Sequence, residues 1–397
     1  MSGRKVVGSK HLAEFVRQRR WALGLSRSQV VRMIQDREPP PYHLSESFLQ
    51  NLEAGRTEPR LRQVLALSNL LQVDAGVMTS LSRLDAYDGA RPAPNRFDVL
   101  QRLGKEAFDV GDFGRSVAAF EKAGELAPDL PRRLEVQCNL AGAVKRLGML
   151  TLARWQYEAV LAEVAAEDGV QALAHVSLAG LCDQREHLEM GLTHLVRAEQ
   201  LADPAAAQLQ FGLQNTKGNL LTNRYQLHPR TPAHLLVQGR DCYTRALATA
   251  RAAGNRRWEA IALANQGRSW CLAGEPAPGW PCLTAARELA EGTGDRWLRA
   301  AIEAESGRAH WRAGGAGDRE QARRHLTRSL RLAREGDYPE WIVFCCILLL
   351  EIERAAGHPT GFFKKQIDRY RERVEKRFPE LIRYEEQQHG GKKVVSA

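Results

Sequence analysis

One recurring pattern constrains this chain more than any other. Between residues 96 and 358 a large apolar residue returns at Phe120, Tyr157, Leu195, Tyr243, Leu283 and Leu326, at intervals of 37, 38, 48, 40 and 43 residues. Small residues accompany each at helical spacing: Gly104, Gly111 and Ala123 around the first, Gly148 and Ala153 around the second, Gly191 and Ala198 around the third. Gly218 and Ala246, then Gly267, Gly274 and Ala286, then Gly307 and Ala322 continue the series. A unit of this length is a pair of helices that cannot bury its apolar face alone, so neighbouring units must stack. The fourth unit is interrupted by Gln226–Ala233, and Trp341–Ala356 begins a seventh. Phe362–Gln388 is amphipathic and charged, which suits a cap on the stack or a dimerisation helix.

The chain of 397 residues has room for two or three domains. It is rich in Ala, Leu, Arg and Glu and has no alternating run of β-branched residues, so the expected class is all-α. The formal net charge of +10 is unevenly spread. Residues 1–65 hold 12 Lys/Arg against 6 Asp/Glu, residues 360–397 hold 10 against 6, and the remainder is neutral. A basic surplus at the N-terminus favours a polyanionic partner. The seven cysteines are scattered without a CxxC pair and read as small buried hydrophobes in a reducing compartment. The opening MSGRKVVGSK has no apolar core, and the longest apolar stretch, Trp341–Leu350, is too short to span a bilayer. A cytoplasmic protein with no membrane partner is expected.

The N-terminal segment has a different grammar. A first helix is expected over Lys10–Leu23, with Leu12, Phe15 and Val16 inward and Gly24 ending it. Ser26 and Gln29 have the spacing of a capping box before a second helix carrying Val30, Val31 and Ile34. Glu38-Pro-Pro-Pro41 breaks that helix. Ser45 is a good N-cap for a third helix that buries Leu49 and Leu52 and stops at Gly55. Pro59 opens a fourth, with Leu61, Leu65, Leu70 and Leu71 inward.

Leu25-Ser-Arg-Ser-Gln-Val-Val31 and Ser45-Glu-Ser-Phe-Leu-Gln-Asn-Leu-Glu-Ala-Gly-Arg56-Thr-Glu-Pro59 together resemble the Xre/Cro-like helix-turn-helix family, the lambda-repressor type. Gln35–His43 adds about eight residues to that family's tight turn. The resemblance implies double-stranded DNA as partner, with the third helix in the major groove. Glu46, Ser47, Gln50 and Asn51 then face base edges: the amides can pair with adenine, and Glu46 can accept from cytosine. Arg27, Ser45 and Arg56 suit phosphate contacts. Arg20 and Glu53 match the family's internal ion pair.

The repeats resemble the tetratricopeptide pattern, most clearly at Leu103-Gly104, Gly111-Asp-Phe113, Phe120, Ala123 and Pro128. That resemblance implies a right-handed superhelix with a concave groove. Asn215, Asn219 and Asn223 form an i, i+4, i+8 ladder on one face of a groove-side helix, with Asn139 and Asn265 at equivalent places in other repeats. An amide side chain offers donor and acceptor together and can hold the backbone of an extended peptide. Lys145, Arg146, Arg268, Arg308 and Arg312, together with Arg102 and Lys105, map nearby as carboxylate partners, and Trp311 has a groove-facing register. No catalytic, metal or cofactor pattern stands out: Cys182, His187 and His194 fit no common zinc spacing.

The expected organisation is a lambda-repressor-like bundle at 1–80, a linker at 81–95, six or seven repeats at 96–358 and a capping or dimerisation segment at 359–397. This combination resembles the RRNPP peptide-responsive regulators. It implies a non-enzymatic homodimer that binds operator DNA, with a short peptide or partner segment in the repeat groove steering the paired DNA heads. The alternative is an interaction scaffold whose helix-turn-helix no longer binds DNA.

Overall fold

The structure, a computed structural model, describes residues 8–90, 92–183, 187–227, 232–376 and 378–388. The described residues form twenty α-helices and three 3-10 turns, with no strand. Contacts divide the chain into two compact units: Met1–Ala93 with Thr151–Trp155, and Pro94–Leu150 with Gln156–Ala397.

The first unit contains α1 (Lys10–Ala22), α2 (Arg27–Arg37), α3 (Glu46–Glu53), α4 (Leu61–Leu71) and α5 (Ala75–Leu84). Each of the first three starts on a serine whose hydroxyl accepts a backbone N–H: Ser9, Ser26 and Ser45. At Ser26 the reciprocal bond from Gln29 completes the expected capping box. Leu12, Val16, Val30, Ile34, Leu49, Leu52, Leu67 and Leu71 fill the core. Two expected core residues lie outside it. Leu61 and Leu65 are 69% and 37% exposed. The reason is helical phase: Val64, Leu67 and Leu71 define the inward stripe of α4, and at ~100° per residue Leu61 and Leu65 fall on its flank. Val31 is only half-buried. The stretch expected to be linker begins as structure: α5 reaches Leu84, a 3-10 turn covers Asp85–Ala90, and His11 Nδ1 lies 2.6 Å from Asp85 Oδ1.

Fourteen helices, of which α9 contributes Thr151–Trp155 to the first unit, pair as successive hairpins: α6 (Phe97–Asp109) with α7 (Phe113–Glu125), α8 (Leu130–Arg146) with α9 (Leu150–Ala162), α10 (Asp168–Asp183) with α11 (Leu188–Leu201), α12 (Ala207–Leu227) with α13 (His234–Ala252), α14 (Arg256–Leu272) with α15 (Pro276–Thr293), α16 (Arg296–Ala313) with α17 (Ala316–Glu335), and α18 (Pro339–Ala355) with α19 (Gly361–Tyr370). A last helix, α20 (Pro379–Gln388), follows a 3-10 turn at Arg371–Arg373. The expected capping segment is therefore two short helices with a break between them. Within the fourth hairpin, residues 228–231 of the expected interruption lie outside the described residues.

The periodic positions explain the hairpins. Phe120, Tyr157, Leu195, Tyr243, Leu283 and Leu326 are all buried. A glycine on the first helix lets the partner's large side chain close in: a Cβ on Gly104 would meet the Phe120 ring at 2.5 Å, and one on Gly218 would meet the Tyr243 ring at 2.5 Å. Close packing of this kind leaves no room for even one methyl. Five of the seven cysteines are buried, and burial pushes the Cys138 and Cys346 thiols up to about 12. No single helix among the described residues is long and apolar enough to cross a membrane.

Candidate functional site

The third helix of the first unit presents a polar outer face. Glu46, Ser47, Gln50 and Asn51 are exposed, while Leu49, Leu52 and Glu53 point inward. Arg56, after the helix, is exposed as well. The helix is anchored from beneath by charge. Arg20 Nε and Nη2 donate to the two Glu53 carboxylate oxygens at 2.5 and 2.9 Å, and Arg27 Nε donates to Glu53 Oε2 at 2.8 Å. Burial alone would raise the Glu53 carboxyl, but the two guanidinium groups hold it below its ordinary value. Arg27, expected as a phosphate contact, is thus bound to the buried carboxylate, although its side chain stays 37% exposed. Ser45 spends its hydroxyl capping α3. Ser28 Oγ donates to Glu46 Oε2 at 3.1 Å, so the Glu46 carboxylate is tethered between the starts of α2 and α3.

In the second unit a cavity of about 250 Å³ opens between the first helices of successive hairpins. It gathers the whole asparagine ladder of α12 with Asn265, Arg268 and Lys145. The amides also bond one another. Asn265 Nδ2 donates to Asn215 Oδ1 at 2.8 Å, and Asn219 Oδ1 accepts from the Tyr243 hydroxyl at 3.0 Å and from Arg268 Nη2 at 3.4 Å. Arg146, Trp297, Trp341 and Lys376 complete the polar and aromatic wall.

Six expected groove residues do not line this cavity. Asn139 is half-buried on α8, six residues before Lys145. Arg308 is buried, pairs with Glu305 and Glu380, and lies 5.4 Å from the Phe344 ring centre. Trp311 Nε1 donates to Glu351 Oε2 at 3.2 Å, and Arg312 lies 3.8 Å from Glu380. The physical reason is the length of α16: its last turns run past the cavity to where α20 brings in Glu380, so their polar atoms join helices together. Arg102 and Lys105 also lie elsewhere, as exposed partners of Glu106 and Glu135.

The family model described as a helix-turn-helix domain matches residues 11–81. This segment is a helix-turn-helix domain. No curated protein sequence matches the chain. Among solved structures it is similar to Bacillus thuringiensis PlcR in complex with the peptide PapR7 and DNA, at 14% identity and TM-score 0.41, over 75% of this chain and 99% of that one. It is also similar to a signal transduction ATPase with numerous domains from Pyrococcus horikoshii, a protein with a tetratricopeptide repeat sensor. There the identity is 12% and the TM-score 0.45, over 96% of this chain and 62% of that one.

The helix-turn-helix domain departs from a tight turn where the sequence indicated. α2 continues to Arg37, and residues 38–45 reach α3 through a 3-10 turn at Pro40–Tyr42. His43 Nε2 lies 2.7 Å from the Glu38 carbonyl and braces the connection.

Sequence reasoning missed a seam within the repeat unit. The turn of the first hairpin docks on the starts of later helices. Arg296 N donates to the Val110 carbonyl at 3.3 Å, and the Tyr338 hydroxyl donates to the Gly111 carbonyl at 2.8 Å. Phe113 packs edge-on against Trp297 at 6.3 Å and meets Tyr338 at 5.9 Å. Buried Asp295 caps α16 and accepts from Arg257 Nε at 2.7 Å. Burial raises Asp109 nearby, with Asp295 adding to the shift and Arg257 opposing it. No local pattern announces these contacts. The array folds back on itself, and Trp297 belongs both to this seam and to the cavity wall.

Proposed function

We propose that the chain is a ligand-responsive transcriptional regulator. It binds operator DNA through its helix-turn-helix domain and a short peptide or partner segment in the cavity of its repeat unit. It acts in the cytoplasm as a homodimer. The observation that carries the reading is the exposed face of α3, with Gln50 and Asn51 outward on a helix locked from within by Arg20, Arg27 and Glu53. A rigid helix carrying amides on its open face is suited to base-edge contacts. The amide-lined cavity supports the second half, because asparagines can match both N–H and C=O groups of an extended backbone.

Fluorescence anisotropy with fragments of the chain's own upstream DNA tests this reading. Tight, steeply salt-dependent binding to one fragment is expected. Equal, weak binding to every fragment at low salt would sink it.

The second reading is a protein-interaction scaffold, favoured by the long connection at residues 38–45 and by the Glu46 carboxylate on the outer face. A carboxylate with no cytosine amino group opposite it repels the DNA backbone. The same binding experiment separates the two.

A further inference from the structure

The cavity wall includes an arginine with no carboxylate within ion-pair distance among the described residues. Arg146 ends α8, and its guanidinium carbon lies 3.9 Å from the Trp297 ring centre. It forms no ion pair among the described residues, and its Nε is shielded from water with no hydrogen-bond partner. Other cations of the wall are engaged: Lys376 with Glu340 at 2.6 Å, and Arg268 with Asn219 and the Tyr243 hydroxyl. Burial and the neighbouring Arg257 push Arg146 down to about 10, with Asp295 and Glu340 opposing from a distance, so it remains charged at neutral pH. A guanidinium held on an aromatic face keeps its edge open for planar, charge-assisted hydrogen bonds.

We propose that Arg146 seats an anionic group of the cavity's ligand, and that this seat is part of the seam closing the repeat array. The inference rests on reading the cavity as the ligand site. A carboxylate fits better than a phosphate dianion, because Glu305 and Glu340 already contribute negative charge to the same wall. The coupling is geometric. Trp297, beneath Arg146, packs on Phe113 and at 5.9 Å on Trp341. Phe113 in turn meets Tyr338, which holds Gly111. An anion that fixes Arg146 on Trp297 therefore stiffens the contact between the first hairpin and the starts of α16 and α18.

The test uses the full chain, titrated separately with acetate and with inorganic phosphate at constant ionic strength. Tryptophan fluorescence and hydrogen exchange over residues 108–113 and 295–298 are followed. A saturable fluorescence change with slower exchange in both segments is expected, stronger for acetate; a stronger phosphate response would assign the seat to a phosphate-bearing ligand. Arg146→Gln should weaken the response about tenfold or more, the scale of one charge-assisted hydrogen bond. Arg146→Lys should keep part of it, and Arg312→Gln all of it. No saturable response to either anion, or an unchanged response in Arg146→Gln, overturns the proposal. Promoter binding is measured on the same samples without added anion, so loss of DNA binding with an intact anion response counts against the regulator reading alone.

Discussion

The Tyr338 hydroxyl donates to the carbonyl of Gly111, 227 residues away in sequence, in a buried bond of 2.8 Å. Gly111 has φ +81°, and a Cβ there would lie 2.9 Å from both the Trp297 backbone nitrogen and the Tyr338 hydroxyl. Burial raises the Tyr338 hydroxyl above its ordinary pKa, so it remains a donor at neutral pH. The seam thus needs a residue without a side chain on one side and a hydroxyl on the other. Tyr338→Phe should cost about 1–2 kcal/mol by leaving a buried carbonyl unpaired. Gly111→Ala should cost more, since left-handed backbone and crowding add. Gly254→Ala is the control: φ +62° with nothing within 4 Å. Urea unfolding checks all three, and equal losses in the two glycine variants would remove the seam from the account.

The Glu53 cluster predicts an acid limb. Glu53 sits below its usual value in the folded state, so the unfolded chain takes up the proton first as pH falls. The pair's stabilisation is present above the ordinary carboxyl range and is lost as pH falls through the lower folded value. Arg20→Ala should cost on the order of 3 kcal/mol at neutral pH, because a buried carboxylate loses its main partner. In Glu53→Gln the stability difference between about pH 7 and about pH 4, the lower end lying where carboxyls titrate, should shrink. Parallel pH curves for wild type and E53Q would contradict this.

On DNA, Gln50→Ala with Asn51→Ala should abolish preference among operator variants while leaving nonspecific affinity and fold in place. Arg56→Gln should instead weaken all sequences alike and lower the salt slope by about one. Unchanged operator choice in the double variant would remove α3 from base recognition.

At the asparagine ladder the useful substitution is Asn219→Asp. Its Oδ1 already serves Tyr243 and Arg268, so Asn219→Ala would mix ligand effects with a loss of internal bonding. The aspartate keeps the acceptor, replaces the amide donor with a second acceptor oxygen, and adds a negative charge beside Arg268. Calorimetric titration with the ligand should show affinity falling about tenfold at near-constant melting temperature. A large fall in melting temperature with unchanged affinity would assign Asn219 to packing alone.

What the sequence made legible was local. Ser26 with Gln29, Ser45, and the large residues from Phe120 to Leu326 each depend on spacings of a few residues or on one repeat, and a linear reading captures such spacings; Arg20 with Glu53, 33 residues apart, was legible only through the resemblance to the helix-turn-helix family. The ladder of α12 was legible for the same reason. Leu61 and Leu65 were misplaced because they do not share a helix face with Leu70 and Leu71, and the buried stripe follows Val64, Leu67 and Leu71. Arg308, Trp311 and Arg312 were misassigned because their partners, Glu380 and Glu351, arrive from helices remote in sequence. The seam was invisible because Gly111 and Tyr338 fit their own repeats without each other.

An open solenoid can gain or lose a unit by duplication or deletion, since its ends answer to nothing. Here the first hairpin's turn is fastened to the starts of α16 and α18, so the number of units becomes part of the specification. Inserting one more hairpin between Gly111 and Tyr338 would carry the two out of reach. This array is free to diverge in side chains but not in count.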